Sequence, residues 1–283
     1  MKKKFLSFTL ILCFILPCLI MLSACGHEHT FEKAWTFNYT HHWHASTCEH
    51  SKEKADYAEH VDENEDEICD VCKHGQVAKI GEVGYASLED AIVALELEET
   101  IVLVDDIDLP TAITIDKVVE IDLNGKKLSV TEDTAGYGVF MVVEYGDLTI
   151  SGDGEVNGVG KNPWNIVIFA NGGNVTINGG TYTNVGAVDN GSANGGNTHF
   201  DVIYAKNGGS VTINGGTFKG QTPAWLLNLH DGTREESSIV VKGGVFEGFN
   251  PANNQAEGEN TNFVASGYTV HQNENVYTVD REQ

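Results

Sequence analysis

The sequence predicts a mainly β chain: a long parallel β-helix, or solenoid, preceded by a small, loop-rich module dense in histidine and cysteine. Two observations predict it. A phrase of alternating apolar and polar residues ending in glycine recurs five times after residue 120. By contrast, eight of the 11 histidines and the last three cysteines crowd between His27 and His74.

The first element is a leader. "MKKKFLSFTLILCFILPCLIMLSAC" sets three lysines before an apolar run and small residues, the layout of a secretory signal. Its ending, "LSAC", resembles the lipobox of bacterial lipoproteins. That resemblance implies a signal peptide over residues 1–24 and lipidation of Cys25. It also implies an extracytoplasmic chain, lipid-anchored to the bacterial cell membrane or cell surface. The competing reading is an N-terminal transmembrane helix, since the apolar run is nearly long enough to span. The 283 residues include 17 basic and 41 acidic ones, net −24; a cleaved leader takes Lys2, Lys3 and Lys4 with it and leaves −27. Such a surface repels phosphate backbones and anionic headgroups. Nucleic acid is therefore excluded as an expected partner, whereas cations, neutral glycans and basic proteins stay open.

The second element, residues 25–76, reads as a metal module. Cys48, Cys69 and Cys72 are an odd set for an exported chain, so disulfides alone cannot consume them. In "HVDENEDEICDVC" the Cys69-x-x-Cys72 spacing lets two thiolates grip one tetrahedral zinc. Cys48 and His50, from "HHWHASTCEH", can supply the other pair, with His44 and His60 as substitutes. Sulfur with imidazole favours zinc over calcium or magnesium. Asp62, Asn64 and Asp66 alternate as in a calcium loop, but Glu67 stands where that loop needs glycine and Lys73 where it needs glutamate, which argues against calcium. Three readings remain open: a structural zinc knot stapling a segment poor in apolar residues, a Cys69–Cys72 disulfide among solvated histidines, and a zinc-buffering or sensing role. The segment resembles the "HWHxxxCxH…CDxC" modules of surface proteins of gut and oral anaerobes, a likeness that implies placement at the cell surface.

The third element, residues 77–283, carries the repeat. Its copies are "IDLNGK" from Ile121, "LTISGD" from Leu148, "VTINGG" from Val175 and from Val211, and "IVVKGG" from Ile239, spaced 27, 27, 36 and 28 residues apart. Periods of this size mark solenoids. The first and third residues of each copy are apolar and the second is mostly polar, the pattern of a short half-buried strand. Glycine at the fifth place permits a turn with positive φ, and an apolar residue follows in the eighth place, with Val156 replacing Glu155 in one copy. Stacking predicts that Val175, Val211 and Ile239 lie in file and that Asn178 and Asn214 form an amide ladder. It also puts Glu120 and Asp147 on neighbouring coils. "SLEDAIVALELEE" predicts an N-terminal capping helix over about residues 87–98, with Ser87 as N-cap and Asp90 closing the capping box. "NFVASGYTVHQNENVYTV" predicts a C-terminal hairpin. Such ends need cover because a bare strand edge invites pairing.

The run "GYASLEDAIVAL…TIVLVDDIDL…ITIDKVVEIDLNGKKL…VTINGGTY" resembles the right-handed β-helix (pectin-lyase-like) modules of bacterial surface proteins over about residues 78–280. The likeness implies the fold and leaves activity open, since many such modules have no known catalysis. Insertions are better candidates for function. Loops projecting from repeats often carry binding, here "NVGAVDNGSANGGNTH" with Asp189 and Asn190, and residues 250–262. Trp164 and Trp225 can stack sugars, against the alternative that they are buried strand ends; His230 and Arg234 can act from a loop. The expectation is a non-catalytic, lipid-anchored surface protein whose loops bind glycans or host or cell-surface proteins. The alternatives are a polysaccharide lyase or hydrolase of this fold, and a zinc-handling lipoprotein.

Overall fold

The computed structural model describes residues 29–38, 40–48, 51–63, 69–72, 74–130, 138–158, 166–184, 201–221, 223–254, 257–258 and 260–282. The chain divides into two compact units, Met1–Lys73 and His74–Gln283. No helix among the described residues is long and apolar enough to cross a membrane.

In the first unit, β1 (Phe31–Phe37), β2 (His41–Ser46) and β3 (Lys54–Glu59) form an antiparallel sheet in that order. The histidine-rich phrase expected to be loop is therefore a central strand. Its aromatic and histidine rings alternate across the pleat, which suits a half-buried surface. Asn38 makes the turn into it, its Oδ1 accepting the N–H groups of Thr40 (3.0 Å) and His41 (2.8 Å). The pairing skips a residue of β3 between His42↔Ala58 and His44↔Ala55, and Asp56 in that bulge has φ 53°.

The second unit begins with a hairpin, β4 (Ala78–Ile80) and β5 (Val83–Tyr85), then helix α1 (Leu88–Ala94). Ser87 caps the helix as its sequence predicts, accepting the Asp90 N–H at 3.0 Å, but the helix ends at Ala94, short of the expected residues 87–98, with Leu95 already extended. Thereafter the chain lays one strand in each of three sheets and repeats. The first round is β6 (Ile101–Leu103), β7 (Ile107–Leu109) and β8 (Ile113–Ile115); the second is β9 (Val118–Asp122), β10 (Lys126–Val130) and β11 (Phe140–Val142). The third is β12 (Asp147–Ser151), β13 (Gly154–Gly158) and β14 (Ile166–Asn171); the fourth is β15 (Asn174–Ile177), β16 (Thr181–Asn184) and β17 (Asp201–Lys206). β18 (Ser210–Ile213), β19 (Thr217–Gly220) and β20 (Leu227–Leu229) make the fifth, and β21 (Ser238–Val241) and β22 (Gly244–Glu247) start a sixth. A closing hairpin follows, β23 (Tyr268–Asn273) and β24 (Val276–Arg281). Strands of successive rounds pair in parallel, an order consistent with a β-solenoid.

Register fixes the core. Val119, Leu148, Val175, Val211 and Ile239 lie in file, as do Ile101, Ile121, Ile150, Ile177, Ile213 and Val241. In the second sheet Ile107, Leu128, Val156, Tyr182, Phe218 and Phe246 form one buried row. There the Phe218 ring stacks on Tyr182 (5.1 Å, 10°) and on Phe246 (4.9 Å, 11°), close to the inter-strand spacing. Each such buried ring contributes about 1.5–3 kcal/mol. Asn214 donates to Asn178 Oδ1 at 2.8 Å, the expected ladder.

The corner between the first and second sheets departs from the sequence reading. It runs over residues 122–127 in the second round, 151–155 in the third and 178–181 in the fourth. Aligning copies on glycine therefore slides the first by two residues: Val119, not Ile121, stands beside Leu148. Glu120 consequently faces Thr149 and Asp147 faces Val118, so these two acids are not register partners. The glycine role also divides. Gly125 and Gly152 take positive φ (74° and 77°), but in the shorter corners the next glycine does so, Gly216 at 103°. Gly215 is needed for another reason: a Cβ there would sit 2.7 Å from Asn178 O on the preceding round.

Candidate metal centre

The sheet of the first unit assembles a four-donor cluster. His42, on the central strand, is 2% exposed, with the edge of Trp35 against its ring (4.7 Å, 81°). His60 follows β3 immediately. Its backbone N–H donates to Thr40 O (3.1 Å) and its Nε2 bonds Asn38 O (2.8 Å). That second bond puts the proton on Nε2 and makes Nδ1 the nitrogen that can ligate, the support a metal-binding imidazole needs. The Cys69-x-x-Cys72 turn is tied to the chain leaving β3: the Asp70 N–H donates to Val61 O (2.6 Å), and the Asp70 carboxylate accepts the Glu63 N–H (2.7 Å).

These ties bring one ligand atom from each of His42, His60, Cys69 and Cys72 within 4.8 Å of one another. Cys69 Sγ lies 3.6 Å from His42 Nδ1, and Cys72 Sγ lies 3.4 Å from His60 Nδ1. Zinc–sulfur and zinc–nitrogen bonds of about 2.3 and 2.0 Å at tetrahedral angles require a sulfur–nitrogen edge of roughly 3.5 Å. The geometry fits that ion. Charge fits as well. Burial pushes the Cys69 thiol up, but the backbone at Cys72, Val61 and Val71 and the His60 ring outweigh it and hold the thiol at about 6. A thiolate at neutral pH is the form that binds metal. Two thiolates and two neutral imidazoles would cancel a divalent cation, which makes its burial tolerable. The group could therefore hold a metal ion.

Of the residues the sequence singled out, Cys69, Cys72 and His60 meet here. His44 does not: it stacks on Trp35 (3.9 Å), bonds Ala34 O through Nδ1 (3.1 Å), and lies 3.9 Å from Asp56. Cys48 is half-buried outside the group, its N–H donating to Ser46 Oγ (3.2 Å). His50 and Cys25 lie outside the described residues, as do Trp164, Asp189 and Asn190. The sequence reading missed His42. Strand alternation in "HHWH" leaves His42 and His44 as the two ring donors of one face, and the register picks His42, which lies opposite Ala58 and so close to His60.

In the second unit, Trp225 is half-buried on the turn Pro223–Trp225. His230 sets its edge against Tyr204 (6.4 Å) and pairs with Thr233 Oγ1 (3.2 Å). Arg234 meets an acid the sequence could not place: its guanidinium pairs with the buried Glu257 carboxylate and lies 3.5 Å from Asp231. Glu257 Oε1 also accepts the Leu229 N–H (2.8 Å), and burial raises its pKa despite that bond and the arginine. Nearby, Asp201 is 1% exposed and takes a hydrogen bond from Asn228 Nδ2 (2.9 Å). Burial first, then the Glu257 charge, push its carboxyl up to about 8 against the Asn228 bond. Burial and the same acids raise the Tyr204 phenol.

Compared with known proteins, the chain matches no protein family, no curated protein and no solved structure.

Proposed function

We propose that the chain is a lipid-anchored surface protein. In this reading its first unit is folded around one structural zinc, and its second is a non-catalytic right-handed parallel β-helix that displays loops to glycans or proteins. The observation that carries the metal half is the meeting of His42, His60, Cys69 and Cys72. Four protein donors fill a tetrahedron and leave no position for water or substrate, the mark of a structural site. The N-terminal module needs such a staple, because β1 and β3 are largely exposed and contribute little core. What supports the display half is the register: the aliphatic rows face inward, helix α1 buries Leu88, Ala91 and Ile92 against the core, and β24 pairs with the last strand of the second sheet. Arg234 and Glu257 are engaged with each other and with the Leu229 backbone, which accounts for them without catalysis. The "LSAC" leader supports anchoring at Cys25, and the insertion at residues 184–198 is the candidate to carry binding.

Metal analysis of the mature protein tests the reading. One tightly held zinc per chain is expected, lost in Cys69→Ser and His42→Ala and retained in Cys48→Ser and His44→Ala. Several weak, exchangeable ions would instead favour zinc handling. Binding on a glycan array should depend on residues 184–198, and binding that survives their deletion would move the display surface elsewhere.

A further inference from the structure

Two of the four donors are thiols only three positions apart, and a disulfide between them would change what the site holds together. A metal at these donors links residues 42, 60, 69 and 72, thus joining the central strand, the exit of β3 and the cysteine turn. A Cys69–Cys72 disulfide closes only the turn itself. Cross-links restrict a chain more the longer the loop they close, so oxidation would exchange a long-range tie for a local one. The two states also exclude each other. A disulfide needs its sulfurs about 2.05 Å apart, whereas two thiolates on one tetrahedral zinc stand roughly 3.8 Å apart.

We infer that Cys69 and Cys72 are a redox latch: a low-molecular-weight disulfide oxidises the pair, zinc leaves, and the N-terminal unit loosens. The inference rests on the zinc reading above. Exposure sets the order of events. Cys72 is half-buried and Cys69 is 3% exposed, so the Cys72 thiolate is the one an incoming disulfide can reach. It attacks one sulfur of the oxidant, forming a mixed disulfide and expelling one small thiolate. The Cys69 thiolate then attacks Cys72 Sγ, forming the internal bond and expelling the second. Two electrons pass from the cysteines to the oxidant, zinc leaves as the unchanged divalent ion, and both histidines are released as neutral imidazoles. Cys48 takes no part, being outside the four-donor group. The His74–Gln283 unit contains none of these cysteines, so its strands keep their pairing.

The test uses the zinc-loaded mature chain with glutathione disulfide as the probe. A chromophoric chelator follows zinc, peptide mass spectrometry maps disulfides, and amide exchange reports on each unit. The expected result is one zinc released per Cys69–Cys72 disulfide, in the parent and in Cys48→Ser alike. Protection in β1–β3 should fall about tenfold or more, with residues 74–282 unchanged, and dithiothreitol with zinc should restore it. Zinc retained after the thiols are oxidised, a disulfide that enlists Cys48, or unchanged protection in β1–β3 after zinc has gone would each overturn the latch. A chain that holds no zinc before oxidant is added overturns the zinc reading itself, and the latch with it.

Discussion

Asp201 offers a sharp test of the second unit because its burial has a sign. The carboxyl is 1% exposed, bonded to Asn228 at 2.9 Å, and raised from 3.8 to about 8 by burial and then by the Glu257 charge. Tyr204, Asp231 and Arg234 are the other titratable or charged groups coupled to this cluster. In the unfolded chain the carboxyl returns to its ordinary value. Between these two values the folded protein keeps a proton that the unfolded chain has lost. The residue's contribution to stability is therefore full below pH 3.8, declines as pH rises through the window, and is level above about 8. A difference of about four units corresponds to roughly 5 kcal/mol. Asp201→Asn keeps the shape and an acceptor for Asn228 but cannot ionise. Urea unfolding of parent and variant, followed by the strand signal in circular dichroism at about pH 5 and pH 9, reads the difference. The gap should shift by several kcal/mol in the variant's favour at the higher pH, leaving the variant the more stable protein there. Parallel curves would mean that the carboxyl reaches water or is ionised throughout, and the reasoning would be refuted.

Two further expectations concern the stack. Phe218→Ala removes a ring held between Tyr182 and Phe246 and should cost about 3–5 kcal/mol in denaturant unfolding; a loss below about 1 kcal/mol would show that the row collapses to fill the space. Gly215→Ala drives a Cβ to 2.7 Å from a backbone oxygen and should cost about 1–3 kcal/mol. Gly125→Ala meets nothing within 4 Å and carries only its positive φ, about 1 kcal/mol, so a reversed order of these two would contradict the corner geometry.

Legibility in the sequence followed the physics of each part. Strand rows repeat because every round buries the same positions, so Val175, Val211 and Ile239 could be read from spacing alone. The first copy obeys the same grammar two residues out of register, because Ile121, Leu123 and Gly125 fit the apolar-apolar-glycine places and glycine serves two needs at this corner. Val119 was the better guide, since apolar residues mark the inward face directly. In the first unit, Cys69, Cys72 and His60 were legible as chemistry, but the choice of His42 over His44 was not. That choice rests on long-range register: His42 pairs with Ala58, beside His60, whereas His44 pairs with Ala55 farther along β3. Arg234 was visible as a rare cation, yet Glu257 is 23 residues away in a loop without periodicity, and no local pattern joins them.

The segment after β22 deserves the reading of an end closure rather than of a projecting loop. A parallel stack ends in open edges, one per sheet, and each must be satisfied. β22 is covered by the antiparallel strand β24. β21 is covered by residues 263–265, with Val241 N–H donating to Phe263 O (2.8 Å) and Ala265 N–H donating to Val241 O (2.9 Å). Among the described residues β20 has no strand on its outer side, and side chains bond there: Glu257 takes the Leu229 N–H, and Asn254 Nδ2 reaches Leu227 O (3.5 Å). A carboxylate in that position accepts well but must stay buried, and Arg234 balances its charge. The bonds of Glu257, Asn254 and Arg234 thus satisfy an open sheet edge. Their cost is the raised Asp201 beside it, since a second acid placed there can remain neutral but cannot ionise cheaply.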